Sequence, residues 1–94
     1  MAERREKIIV RVPDEFKEFF YENKQEIIKK AFEILEQNNE EIEKARKLDD
    51  FVNYGSICTI SVPYEIAEKI KKLASEKNVK LSKLLRYVMY NIKS

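Results

Sequence analysis

The chain has no histidine and no tryptophan, one cysteine, one glycine and two prolines. Each scarcity removes something. Without an imidazole, Ser–His and Cys–His nucleophilic systems have no base, so an enzyme of that kind is not expected. One cysteine and no histidine cannot make a zinc site, and a lone cysteine cannot form an intrachain disulfide. Cys58 lies in an alternating apolar run and reads as a small core residue rather than a reactive thiol. Membrane-length apolar runs are also missing: none approaches the ~18 residues of a span, and the N-terminus lacks a signal-peptide core. A soluble cytoplasmic protein with no membrane partner and no cofactor is the expectation.

What remains is a small, heavily charged chain. Its 94 residues suit one domain, with 44% hydrophobic and 38% charged side chains. Lys, Glu and Ile dominate while Gly is rare, a composition that leans towards a thermophilic source. The net charge of +2 hides an uneven distribution. Residues 1–13 and 56–94 are basic, whereas residues 14–55 are acidic. Glu40, Glu41, Glu43, Asp49 and Asp50 in that middle segment read as a solvated helix face, not a metal site.

Two segments share one design: Lys7–Phe16, KIIVRVPDEF, and Ile57–Ile66, ICTISVPYEI. In the first, Ile8, Val10 and Val12 alternate with Lys7, Ile9 and Arg11. In the second, Cys58, Ile60 and Val62 alternate with Ile57, Thr59 and Ser61. Alternation and β-branching predict strands. Each ends at Val-Pro, because proline has no N–H for a ladder and suits a helix start. Helical spacing follows. A first helix is predicted over about 14–22. Asn23 and Glu26 then form a capping box for a second helix with the stripe Ile27, Ile28, Ala31, Ile34 and Leu35. Ile42, Ala45, Leu48 and Val52 nearly continue that stripe. One long helix to about residue 49, or a break near Asn38-Asn39, both fit, with an extension packed on the core favoured. After the second strand, helices are predicted over about 64–76, with the stripe Ile66, Ala67, Ile70, Leu73 and Ala74, and over about 80–92, with the stripe Leu81, Leu84, Leu85, Val88, Met89 and Ile92. Asn78 should terminate the former in the left-handed conformation, with Val79 tucked into the core.

A single strand of this kind leaves its backbone groups and its apolar face without partners. Two can pair antiparallel, so the chain divides into a basic flexible arm (1–6), a first unit (7–37), a helical extension and linker (38–55) and a second unit (56–94). The fold class is mainly α with a two-stranded antiparallel ribbon.

The repeated pattern resembles the ribbon-helix-helix DNA-binding proteins, in which two chains usually contribute one strand each. IIVRVPDEF with NKQEII, and ICTISVPYEI with NVKLSKLLRYVMYNI, carry the resemblance over most of the chain. It is similar to the fused, pseudo-dimeric form among transcription regulators of archaea and their viruses, so a viral source would place it in the host cytoplasm. The second copy matches better, with Asn78 where the family usually has Gly. The resemblance implies sequence-specific binding to double-stranded DNA, with the acidic middle segment turned away from the DNA as a surface for neighbouring molecules or transcription machinery. Base contacts would fall on Lys7, Ile9, Arg11, Ile57, Thr59 and Ser61. Of these, Ile9 and Ile57 depart from the polar residues common in the family. Phosphate contacts would fall on the second helix of each unit, at Asn23, Lys24 and Gln25, and at Lys80, Leu81, Ser82 and Lys83. Arg4 and Arg5 would reach flanking phosphates. Unlike strands imply an asymmetric site, and few contacts imply cooperative self-association on DNA, for which exposed aromatics among Phe19, Phe20, Tyr21 and Tyr90 are candidates. The alternative is a protein-interaction module, an antitoxin or adaptor on the same fold.

Overall fold

The computed structural model describes residues 4–37, 39–48 and 55–93. Strand β1 (Arg5–Pro13) is followed by a 3-10 turn (Asp14–Phe16), α1 (Lys17–Glu22), α2 (Lys24–Gln37) and α3 (Asn39–Arg46). Strand β2 (Gly55–Pro63), α4 (Tyr64–Glu76) and α5 (Leu81–Lys93) complete the order. The architecture is mainly helical with one two-stranded antiparallel sheet.

The ladder pairs Ile8 with Ile60, Val10 with Cys58 and Val12 with Ser56 on one face. The other face pairs Lys7 with Ser61, Ile9 with Thr59 and Arg11 with Ile57. Pro13 and Pro63 end their strands opposite Gly55 and Arg5. Both prolines adopt nearly the same extended backbone, φ −57° and ψ 143° for Pro13, φ −55° and ψ 143° for Pro63. Ile9 and Thr59 stand equally far from their own proline, and they face each other.

Ile8, Val10, Val12, Cys58, Ile60 and Val62 are all buried. Against them pack the helical stripes. Phe20 comes from α1, Ile27, Ile28, Ala31 and Leu35 from α2, and Ile42 and Ala45 around α3. Ala67, Ile70 and Ala74 come from α4, and Leu84, Leu85, Val88 and Met89 from α5. The apolar periodicities predict the inward residues of α2 to α5, Met89 included; the burial of Arg86 and the full enclosure of Phe20, a surface candidate, are not predicted. Asn78 takes φ 56°, the one non-glycine residue with positive φ among those described, and Val79 folds inward as expected.

Several boundaries differ from the expectation. The strands are longer, starting at Arg5 and Gly55, so the chain's only glycine is a strand residue rather than linker. From Arg4 onward there is no loose arm. The Arg4 carbonyl accepts the Tyr64 N–H at 2.9 Å, and its guanidinium lies 4.3 Å from the Tyr64 ring centre. The first helix is not continuous over 14–22 but opens as a 3-10 turn. Asn23 does not cap α2 in the expected way. Its ψ of 16° is outside the extended range of an N-cap, and its side-chain amide donates to the Phe19 carbonyl at 2.9 Å, closing α1. The extension is present as α3, buried through Ile42 and Ala45. Asn38, most of the linker (49–54, with Val52, Phe51 and Tyr54) and residues 1–3 of the arm lie outside the described residues.

Two isoleucines on the same strand separate core from surface. Ile60→Ala should cost about 2–5 kcal/mol of unfolding free energy, as for other buried large-to-small changes. Ile57→Ala should cost less than about 1 kcal/mol, a strand-propensity effect only. Urea denaturation of both variants checks the difference.

Candidate functional site

Alternation in β1 runs further towards the N-terminus than the apolar pattern reveals. Its exposed positions are Arg5, Lys7, Ile9 and Arg11. From β2, Ile57 and Ser61 are exposed and Thr59 is half-buried. The structure therefore gathers all six expected ribbon residues onto one face and adds Arg5. That face holds three cations and no carboxylate: Glu6 has the opposite parity and is drawn to Lys71 on α4 at 2.9 Å. Arg5 reaches across the ladder, its Nε donating to Ser61 Oγ at 3.0 Å and its Nη2 to the Ser61 carbonyl at 2.9 Å. Its guanidinium thus sits over Ser61 rather than on a free tail.

Two residues outside the strands hold the ribbon's edges, Tyr21, expected only as an exposed aromatic, and Arg86, which no motif marks. Tyr21 on α1 accepts the Thr59 N–H at 3.3 Å. Arg86 on α5 is 2% exposed, and its Nη1 donates to the Arg11 carbonyl at 3.2 Å. A cation thus lies beneath the backbone that carries Arg11. The signal for Arg86 was available. It is the one arginine among the basic residues of 56–94, the rest being lysines. A guanidinium keeps its charge and forks its hydrogen bonds where an ammonium would be costly to bury.

The helix starts are less uniform. At α2, Lys24 is half-buried and Gln25 exposed in the first turn, with Asn23 turned back onto α1. At α5, Lys80 precedes the helix and its carbonyl accepts the Leu84 N–H at 3.0 Å, while Leu81 and Ser82 are half-buried in the first turn. Lys83 is directed elsewhere: its Nζ lies 3.4 Å from the Arg46 carbonyl at the end of α3. Arg46 itself donates to the Asn78 carbonyl at 3.0 Å and to the Lys77 carbonyl. This ties the end of α3 to the turn before α5.

The aromatics contribute less surface than expected. Phe20 is fully buried, and Phe19 and Tyr90 are half-buried against the core. Tyr90 packs edge-on to Phe16 at 5.2 Å, and Lys93 lies 5.0 Å over Phe19. Tyr21 alone of the four is exposed. Among the described residues, no helix is long and apolar enough to cross a membrane, and no group of three or more His, Cys, Asp or Glu side chains is placed to hold a metal.

No family model matches the chain, and no curated protein or solved structure matches it either.

Burial pushes the Cys58 thiol above its ordinary 9.0, against smaller opposing effects from Tyr21 and Lys17. Burial, followed by the Glu41 carboxylate that accepts its hydrogen bond, pushes the Tyr87 phenol up. Both groups stay neutral in the folded chain to higher pH than in the unfolded one. Their contribution is intact below the unfolded values and is lost as pH rises through the folded ones. The urea midpoint should therefore fall as pH rises past the ordinary thiol and phenol values, and Cys58→Ala with Tyr87→Phe should flatten that fall. A second expectation concerns the ribbon edge. Arg86→Met removes the donor to the Arg11 carbonyl, a part-buried hydrogen bond, and should cost about 1–3 kcal/mol, read by the same denaturation.

Proposed function

We propose that the chain is a transcription regulator of the ribbon-helix-helix type, two such motifs fused in one chain, that inserts its ribbon into the major groove of double-stranded DNA. The observation that carries this reading is the outer face of the ladder. Seven side chains there are dispensable to the core, three are cations, and none is acidic. A two-stranded ribbon matches a groove ~12 Å wide, and only the outward side chains then meet base edges.

The pseudo-symmetry of the ladder supports the fusion. The two prolines share one backbone conformation, and the residues equidistant from them, Ile9 and Thr59, face each other. Two strands related by a twofold axis would pair about such a point. Each strand also leads through its proline into two successive helices. α2 and α5, which pack on each other, occupy matching places.

In this reading Arg11 binds a guanine through O6 and N7, and Lys7 contacts a neighbouring acceptor. Arg86 steadies Arg11 by holding its carbonyl. Phosphates lie at the first turns of α2 and α5, where unpaired N–H groups and the helix dipole favour an anion, with Lys24, Gln25, Lys80, Leu81 and Ser82 at hand. Lys83 contributes only charge, because its ammonium is directed at α3. Asn23 acts through the geometry of the α1–α2 junction. Arg4 adds charge at the ribbon's end. So few contacts give one molecule only modest affinity, with a salt slope that grows with each phosphate held, and several molecules bound side by side supply the rest.

The test is fluorescence anisotropy on a duplex selected from random sequence, over a salt series. Arg11→Ala should lose about 1–3 kcal/mol on the preferred duplex and relax its sequence preference. Lys24→Ala and Lys80→Ala should weaken all duplexes alike, and each should reduce the salt slope by about 1. Unchanged affinity in all three variants would transfer the ribbon face to a protein partner, as in an antitoxin or adaptor.

A further inference from the structure

The outer face of the ribbon is not uniformly polar. Ile9 is 64% exposed and Ile57 58%, two of the three large apolar side chains most open to solvent among the described residues. They sit on neighbouring rungs of the outer face, Ile9 opposite Thr59 and Ile57 opposite Arg11, with the inward Val10–Cys58 pair between. Neither touches the core face, so folding does not require them to be apolar. Strand propensity would be served as well by threonine, which stands at the matching rung position 59.

The charges around this strip narrow what can cover it. Arg5, Lys7 and Arg11 surround the isoleucines on the same face, with no carboxylate among its residues. A polyanion complements that surface, whereas an apolar protein face would desolvate the three cations and bring them no opposite charge. Yet the floor of the major groove is mostly hydrogen-bonding atoms. Pressed against a cytosine amino group or a guanine oxygen, isoleucine would strand a polar atom away from water. One common feature of that floor is apolar, the thymine C5 methyl group. Isoleucine is also stiff at χ1, so ordering it against a methyl costs little entropy.

The two rungs are placed unevenly. Ile9–Thr59 lies at the centre of the ladder, and Arg11–Ile57 lies towards the Pro13 end. The opposite end carries Lys7–Ser61 and Arg5, whose guanidinium is latched over Ser61. Taking the DNA reading above as its basis, the geometry points to a polar, non-palindromic target. Thymine methyl groups lie under Ile9 and Ile57 at the centre and at the Arg11 side, beside the guanine that Arg11 reads. The Arg5–Lys7 end meets hydrogen-bond acceptors and phosphates instead.

Deoxyuridine supplies the test, because it pairs as thymine does and lacks only the methyl group. In the selected duplex, replacing the thymines of the contacted step one at a time should weaken binding by about fourfold per methyl, the effect of burying one such group. Deoxyuridine elsewhere in the duplex should change nothing. In the Ile9→Ser, Ile57→Ser double variant, thymine and uracil duplexes should bind alike. Equal binding of both duplexes by the unaltered chain overturns the inference while leaving the DNA reading intact. A double variant that still prefers thymine overturns it as well. If sedimentation shows that the unaltered chain self-associates and the double variant does not, the strip belongs to a second copy and the inference fails. If the chain binds no duplex at any salt concentration, the DNA reading itself falls, and this inference with it.

Discussion

The structure depends on one constraint: neither strand can be folded without the other. Each has one face of valine, isoleucine or cysteine and a row of backbone groups that require partners. Pairing Val10 with Cys58 and Ile8 with Ile60 satisfies the backbone groups that face the partner strand and assembles a continuous apolar floor in the same step. The helices then cover that floor. The ladder lies between distant parts of the chain, but the entropy of closing the intervening loop grows only with the logarithm of its length. The acidic middle segment could therefore lengthen and form α3 without weakening the ribbon.

Much of this was legible because two signals reinforce each other. Period-two alternation located both strands, and the switch to helical spacing after each proline located the helices. The inward residues of α2, α4 and α5 followed from their stripes. What escaped was held by contacts between distant residues. Arg5 and Glu6 look like a polar tail, yet the ladder extends to them because Ser61, Val62 and Pro63 provide a partner strand. Asn23 obeys a capping pattern in sequence, but its amide is claimed by the Phe19 carbonyl of the preceding turn. Phe20 was a candidate for the surface; the shortness of α1 lets one aromatic turn fully inward while Tyr21 reaches the ribbon edge. Of the ribbon face, six residues were readable from alternation alone. The edge supports Tyr21 and Arg86 were not, since no local period marks a side chain that serves a strand far away.

Those edge supports also make the two halves unlike. β2 is braced by a phenol from α1 and β1 by a guanidinium from α5. The end of α3 adds a third asymmetry, tied through Arg46 to the turn before α5 and occupying Lys83. Two similar strand-helix-helix segments thus sit in different surroundings, with the basic strand and the neutral strand each fixed in its own setting.

Carrying both strands on one polypeptide frees the ribbon from a rule that binds any assembly of identical chains. There, every substitution appears twice, so a change that suits one half is imposed on the other. Here Lys7 and Ile57, equally far from their prolines, differ, and so do Arg11 and Ser61. Each rung can drift alone, and the surface can acquire a direction that duplication would forbid.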